Sequence, residues 1–422
     1  MNAKAHPRIS LLFPLALVLF EFAVYICNDM VQPAMLAVTR EFAVDVSWAP
    51  LSMTAFLAGG ALLPWLTGPL SDRIGRRPVL LFGVAWFTLA CLATYLVDDI
   101  QSFMALRVLQ GVGLCFINAV GYAAVQEAFP ENTAVRVTAL MANVALIAPL
   151  AGPLAGATLI EFAPWRLGFA LIAAVSFVAL VGLACFMPET VKPSHDKLPL
   201  SAFARDYRKV FSNRRFVLSA LCIPLIAMPL MGWIALSPVL LVEDLGLSSF
   251  EYGVLQVPVF AGLILGNLVL AAVAERWPLG RSALLARGPV ALGVAVLLGG
   301  VLLSDAPQYW MAGGMTLMAF AEGMAFGVLY RFALTSCNEG KGTVSAAMSM
   351  LCMASYALGI ETLRWAYRAG GLAGFGTLAL GYALAFALVA SRMVPLAMAE
   401  RAEPASQPEA DEGELALCAE QG

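Results

Sequence analysis

Three ionisable side chains stand where ionisable side chains are expensive. Glu21, Asp29 and Arg107 lie inside long apolar runs, and a charge at the centre of a membrane helix costs about 2.5–3.5 kcal/mol on the most lenient scale. Glu21 and Asp29 share one run. On a helix they stand about 12 Å apart along the axis and about 80° apart around it, so one polar cavity wets both. A carboxyl in apolar surroundings lowers its cost by taking up a proton, whereas a neighbouring guanidinium favours the proton-free form. A movable cation, either a bound solute or Arg107, therefore switches such a carboxyl between two protonation states. That is the physical minimum for proton-coupled exchange. The alternative is a static ion pair that locks the first and fourth runs together.

Further residues gather around this core. Tyr25 and Asn28 lie between the two acids. An aromatic ring and an amide beside carboxylates suit a broad pocket for lipophilic cations, through cation–π attraction and a few hydrogen bonds; simple packing is the competing explanation. The fifth run holds A-P-L-A-G-P-L-A-G, with Pro149, Gly152, Pro153 and Gly156 in close succession. In a membrane such a stretch permits kinks and close backbone approach, which fits gating as well as tight packing. Glu322, in F-A-E-G-M-A-F, is the one acid well inside the second half of the sequence. It either lines the cavity and contributes to cation binding or stays neutral and hydrogen-bonded.

The elements that carry these residues follow from composition. Of 422 residues, 61% are hydrophobic and 13% charged, against about 45–50% and about 25% in soluble domains. Twelve apolar runs read as spanning helices, at residues 11–38, 48–70, 78–97, 102–129, 135–161, 165–187, 216–242, 250–274, 282–303, 308–335, 343–367 and 371–394. The predicted fold is all-α and integral to the membrane. It has two pseudo-symmetric six-helix bundles, 1–187 and 216–397, a polar cytoplasmic linker at 188–215, and an acidic tail at 398–422 expected to be disordered. The apolar run after His6 and Arg8 is too long for a signal peptide and is read as a retained helix. With the N-terminus placed in the cytoplasm, 20 of the 25 lysines and arginines fall on the cytoplasmic side. The positive-inside rule then predicts N-in, C-in topology. A weak internal repeat, S-D-R-I-G-R-R from Ser71 and A-E-R-W-P-L-G-R from Ala274, fits two related halves with a site between them.

The same reading excludes other chemistry. No G-x-x-x-x-G-K-[ST] run is present, which argues against ATP as the energy source. The two histidines, His6 and His195, sit in polar segments, and no two of the eight cysteines form a C-x-x-C pair. No metal site, disulfide framework, cofactor or nucleic-acid partner is expected, and no nucleophile constellation of an enzyme is visible.

At this point the motifs resemble a known family. G-P-L-S-D-R-I-G-R-R-P from Gly68, L-R-V-L-Q-G from Leu106 and P-x-x-G-P-x-x-G from Pro149 resemble, in order, three signatures of the major facilitator superfamily. Y-I-C-N-D-M in the first span, L-M-A-N-V-A-L-I-A-P in the fifth and K-G-T-V-S-A-A-M from Lys341 are similar to its MdfA-type multidrug/proton antiporters of bacteria. The resemblance covers most of the chain except the tail. It implies proton binding at Glu21 and Asp29, communication with them by Arg107, and a drug cavity lined by Tyr25, Asn28, Tyr122 and Met141. It also implies a cytoplasmic latch at Asp72 and Arg76, beside Arg73, that helps hold an outward-facing state. Cys27 stands where that family has glycine, and Glu322 is not one of its acids.

The expected function is proton-coupled efflux of lipophilic, often cationic but also neutral drugs, by alternating access and driven by the proton gradient. Export of a sugar, an amino acid or an inorganic cation is the alternative. The expected setting is a monomer in the bacterial inner membrane.

Overall fold

The computed structural model describes residues 12–191, 200–274, 276–337 and 339–402. The acidic tail from residue 403, Lys192 and Lys197 of the linker, and Glu275 of the second repeat motif lie outside the described residues. Among the described residues there are helices and no strands.

Among the described residues nine helices are long and apolar enough to cross a membrane, and the bent pair Val46–Leu62 and Pro64–Ile74 makes a tenth. Two further segments complete twelve among the described residues. Lys341–Ala402 contains non-helical Gly370 and Gly371 and so is two helices. Glu131–Phe162 has 32 residues, enough at about 1.5 Å per residue to cross a hydrocarbon core about 30 Å thick.

We number the spans α1 (Leu12–Asp29, continued by Val31–Glu41), α2 (the bent pair), α3 (Arg76–Leu96), α4 (Ile100–Ala128), α5 (Glu131–Phe162), α6 (Arg166–Phe186), α7 (Arg214–Asp244), α8 (Ser249–Val273), α9 (Arg281–Leu303), α10 (Pro307–Leu334), α11 (341–369) and α12 (372–402). An additional helix, Leu200–Ser212, lies in the linker.

The sequence expectation of an uninterrupted first span is corrected by a break at Met30. The reason is local. Pro33 has no N–H to give to the carbonyl of Asp29, four residues earlier. The Gln32 side chain instead donates to the Asn28 carbonyl at 2.9 Å. The helix is thus opened at the residue that carries the buried acid. In α4 the regular winding gives way to a π-helical turn, Ile117–Gly121, immediately before Tyr122. Such turns re-aim side chains and recur at functional sites. The start of α4 is capped by Asp99, whose side chain accepts from the Ser102 N–H at 2.8 Å and its hydroxyl at 2.7 Å. These bonds hold the Asp99 carboxyl below the usual carboxylate range.

Two apolar cores form, one almost wholly from residues 13–187 and one almost wholly from residues 210–394. Within each half the same neighbours meet closely. A Cβ on Gly59 or Gly111 would lie 2.0 or 1.8 Å from a backbone oxygen across the α2–α4 contact. A Cβ on Gly266 or Gly323 would lie 2.1 or 2.3 Å from one across α8–α10. Small residues let these backbones touch. Between the halves, α2 packs on α11 and α5 on α8. Advancing each index by six exchanges these two pairs, which is the pseudo-two-fold relation of the fold.

Candidate functional site

The break in α1 places Asp29 at a seam. Its Oδ1 accepts from Asn28 Nδ2 at 3.0 Å, and its side chain is 4% exposed. Across the seam stands α5. A Cβ on Gly152 would lie 2.7 Å from Asp29 Cβ, and one on Gly156 would lie 2.0 Å from the Met30 oxygen. The Pro149–Gly156 run therefore presents its glycines to the opened turn of α1, and both prolines stay within a continuous α5. Gly156→Val would drive a side chain into the Met30 carbonyl. Drug efflux is expected to fall by about tenfold or more, since overpacking costs ~1–3 kcal/mol. Gly313→Ala, where nothing lies within 4 Å, serves as the control, and equal efflux in both variants would remove the close-approach argument.

Glu21, two turns earlier, is fully buried. Its Oε1 accepts from the Tyr122 hydroxyl at 2.9 Å, while Oε2 is buried with no partner. The π-helical turn in α4 delivers Tyr122 to this position. Tyr25 lies on α1 within electrostatic reach of both Glu21 and Asp29. Met141 of α5 is fully buried among the residues of the first core. Asn28 supplies its amide to Asp29 and keeps its own Oδ1 unpartnered.

Arg107 is placed differently from the simplest expectation. No hydrogen bond joins it to Asp29. The guanidinium is fully buried. Nε donates to Ser52 Oγ at 2.9 Å. Nη1 donates to Gln110 Oε1 at 2.9 Å and to the Cys27 carbonyl at 3.3 Å, with Cys27 Sγ at 3.4 Å. The Phe56 ring lies beneath the guanidinium, 4.7 Å away at its centroid, a cation–π arrangement. Nη2 is buried with no partner. Gln110 in turn donates to the Ala90 carbonyl at 3.2 Å and to Thr94 Oγ at 3.1 Å. One cation thus ties α1, α2 and α4 directly and α3 through Gln110, and it lies within electrostatic reach of Asp29 without a hydrogen bond to it.

The second half contributes residues that sequence reasoning missed. Trp233 Nε1 donates to Gln256 Oε1 at 2.8 Å, and Gln256 Nε2 donates to Ser237 Oγ at 3.3 Å. Tyr252 adjoins Ser237 and is within electrostatic reach of Asp29. Glutamine at position 256 within an apolar run was the available signal. Nothing in the sequence alone showed that α7 and α8 bring this cluster towards Asp29. Glu322 of α10 is 6% exposed, and its Oε2 has no partner. Tyr356 of α11 is the titratable neighbour within its electrostatic reach.

The proposed latch residues form a separate cluster at the end of the bundle where α2 meets α3. Asp72 pairs with Arg76 one turn on. Arg76 also donates from Nη1 to Ser71 Oγ at 2.5 Å and from Nη2 to Glu127 Oε1 at 2.8 Å. Gly75 between the two helices has φ 108°, a backbone state that favours glycine. Glu189 accepts from the backbone N–H groups of Arg76 at 2.8 Å and Arg77 at 3.2 Å, capping α3 with an acid where the helix dipole favours one. Glu127 and Glu189 were not singled out from sequence, because their partners are 51 and 113 residues away. All these contacts stay within the first half and the start of the linker. Arg73 is half-buried at the edge of the same cluster.

At the opposite end the two halves are tied to each other. Arg40 pairs with Glu243 at 2.5 Å, Thr54 donates to Glu361 at 2.7 Å, and Arg364 donates to the Ser47 carbonyl at 3.1 Å. Glu361 and Arg364 also pair at 2.6 Å. These polar contacts join the two halves at this end.

Comparison with known proteins adds the following. The family described as Major Facilitator Superfamily matches residues 17–360. The chain is 51% identical over 387 residues to a multidrug transporter MdfA of Edwardsiella ictaluri, covering 92% of this chain and 94% of that protein. It is 50% identical over 374 residues to the chloramphenicol resistance protein CraA of Acinetobacter baumannii, covering 87% and 89%. Among solved structures it is similar to a bacterial homologue of the human lysosomal transporter Spinster, with TM-score 0.68 at 16% identity over 94% and 98% of the two chains. It is also similar to the human organic anion transporter MFSD10, with TM-score 0.64 at 18% identity over 92% and 100%. At these identities the structural likenesses concern the fold alone.

Proposed function

The chain belongs to the Major Facilitator Superfamily, and on that premise we propose that it is a multidrug efflux transporter that exchanges protons for lipophilic, often cationic drugs by alternating access. Relatives named as a multidrug transporter and a chloramphenicol resistance protein, each at about half identity over most of the chain, support the drug substrate class. The observation that carries the mechanism is the pair of buried carboxyls in α1. Glu21 and Asp29 are both nearly inaccessible, and neither is hydrogen-bonded to a guanidinium. A carboxyl in that position is least costly when protonated. Arrival of a cationic drug reverses the preference, so the proton leaves as the drug binds. Coupling of this kind is reciprocal: a proton bound from one side lowers affinity for the drug and helps release it.

In this reading Glu21 and Asp29 carry the protons. Tyr25, Asn28, Tyr122 and Met141 shape the drug site from the first half, and Glu322 adds charge from the second. Arg107 communicates with Asp29 when helix packing shifts, since it donates to the carbonyl of Cys27, two residues from Asp29 on the same helix. Asp72, Arg73 and Arg76 form the cytoplasmic latch, and Pro149, Gly152, Pro153 and Gly156 form the sliding contact between α5 and α1. The protein acts as a monomer in the bacterial inner membrane with both termini in the cytoplasm. The division into bundles 1–187 and 216–397 follows the two apolar cores. The end where Arg40, Glu243, Glu361 and Arg364 join the halves is then the external one. The proton gradient is the energy source, with no cofactor or ATP.

The test is drug-induced proton exchange in liposomes with a panel of cationic and neutral compounds. Proton movement upon addition of either class supports the reading, and drug movement without protons rejects the coupling. In the same panel Glu322→Gln is expected to weaken handling of cationic drugs several-fold and to spare neutral ones. An equal effect on both classes would count against a direct charge role for Glu322.

A further inference from the structure

Away from the transport site, an open groove of about 620 Å³ runs along the end of α9 beside Trp310 of α10. Val296, Gly299, Gly300 and Leu303 form its apolar floor, and Asp305 and Trp310 stand at its rim. Two adjacent glycines shape it. A Cβ on Gly300 would meet Trp310 Cβ at 2.0 Å, so this glycine seats the indole against α9. A Cβ on Gly299 would meet nothing within 4 Å, so the space in front of it is open. Leu303 is 90% exposed and Trp310 51% exposed. Such a surface is unfavourable against water and ordinary against lipid.

The rim groups are uncommitted. Neither the Asp305 carboxylate nor the Trp310 indole N–H has a hydrogen bond or ion pair among the described residues. They lie where α9 ends at Leu303 and α10 begins at Pro307, the depth at which a spanning helix meets the headgroup layer. An anionic acceptor and a neutral N–H donor stand side by side above an apolar slot. They complement a headgroup that carries a primary ammonium and a phosphate, attached to an acyl chain.

We propose that this groove binds one phospholipid with an amine-bearing zwitterionic headgroup. The ammonium sits on Asp305, the phosphate accepts from the Trp310 indole, and an acyl chain lies along α9 over Gly299. A lipid held here bridges the end of a peripheral helix and the start of the helix that carries Glu322. A choline headgroup lacks the N–H donors that a carboxylate accepts from, and a glycerol headgroup brings net negative charge towards Asp305. The groove therefore prefers the ethanolamine lipid over both.

Retention of lipid by the purified full chain, read by native mass spectrometry after exchange into phosphatidylethanolamine, phosphatidylcholine or phosphatidylglycerol, tests this. Wild type is expected to keep one phosphatidylethanolamine in preference to the other two by about fivefold, the upper value for an exposed charge pair. Asp305→Asn should lose that preference and still hold lipid. Gly299→Leu should fill the slot and release all three, and Gly299→Ala, which leaves most of the slot open, should behave as wild type and control for folding. Equal retention of the three lipids by wild type, or undiminished retention by Gly299→Leu, overturns the proposal. So does tighter retention of a phosphate-free lipophilic cation, which would make the groove a drug subsite.

Discussion

Replacing Asp29 by Asn is expected to abolish the proton release that follows drug addition in weakly buffered detergent solution, with the fold intact. The amide is close in shape to the carboxyl. It keeps an oxygen for the Asn28 Nδ2 bond at 3.0 Å and keeps the packing against Gly152. What it loses is the ability to give up a proton. A fully committed carboxyl would release up to about one proton per bound cation by linkage. The Asn variant should release less than about a tenth of that amount at this site, a difference of about 1.4 kcal/mol or more in the coupling. Neutral drugs should still bind, because the aromatic and apolar walls remain. Normal release from the variant would remove Asp29 from the mechanism and leave Glu21, with its partnerless Oε2, as the other buried acid in α1. The parallel Glu21→Gln variant separates the two.

The second large effect is expected at Arg107, for a different physical reason. Arg107→Ala removes a guanidinium that donates to Ser52, Gln110 and the Cys27 carbonyl. Each acceptor left unpaired in the interior costs about 1–3 kcal/mol. Against this, the variant also removes a buried cation with no carboxylate in hydrogen-bond reach and one amino group unpartnered, and burying such a charge is itself costly. The two terms oppose each other, so the melting temperature should change little. Efflux should nevertheless fall by about tenfold or more, because α1, α2 and α4 lose a group that bonds to all three. Arg107→Lys should not restore it, since an ammonium cannot serve several acceptors in the plane of a fork. Efflux measured alongside thermal unfolding decides the matter. Wild-type efflux in Arg107→Ala would make the residue a packing element only. A loss of efflux that merely tracks a large loss of stability would mean the same.

Arg107 also shows where inference from the sequence stopped. Its cost inside a membrane run was plain from composition, and so was its relation to the first span. Its actual partners were not, because whether a guanidinium meets a carboxylate or a carbonyl depends on which face of α1 is turned towards α4. Cys27 and Asp29 differ by two residues, which on a helix is about 200°. The turn of α1 therefore decides between an ion pair and the arrangement seen. The same holds for Tyr122. Its distance in sequence from Glu21 gave no reason to join them, and the π-helical turn Ile117–Gly121 is what aims the hydroxyl. The Trp233, Ser237, Tyr252 and Gln256 cluster needed the cross-half packing of α5 on α8 before it could be related to Asp29 at all.

What the amino-acid sequence determined by itself was the solvent and the inventory. Apolar runs of spanning length leave the backbone no choice but helices in a bilayer, and the acids and the arginine inside such runs stand out as the side chains whose burial must be compensated, because their cost is fixed by type and depth alone. What only the tertiary structure decided was pairing. It set Glu21 against Tyr122, bonded Arg107 to Ser52, Gln110 and the Cys27 carbonyl rather than to Asp29, drew Glu127 and Glu189 to Arg76, and joined the halves at one end through Arg40, Glu243, Thr54, Ser47, Glu361 and Arg364. Depth in a membrane is a property of a single helix and can be read along the chain. Azimuth and helix-to-helix contact are properties of many helices packed together, and they exist only once those helices have met.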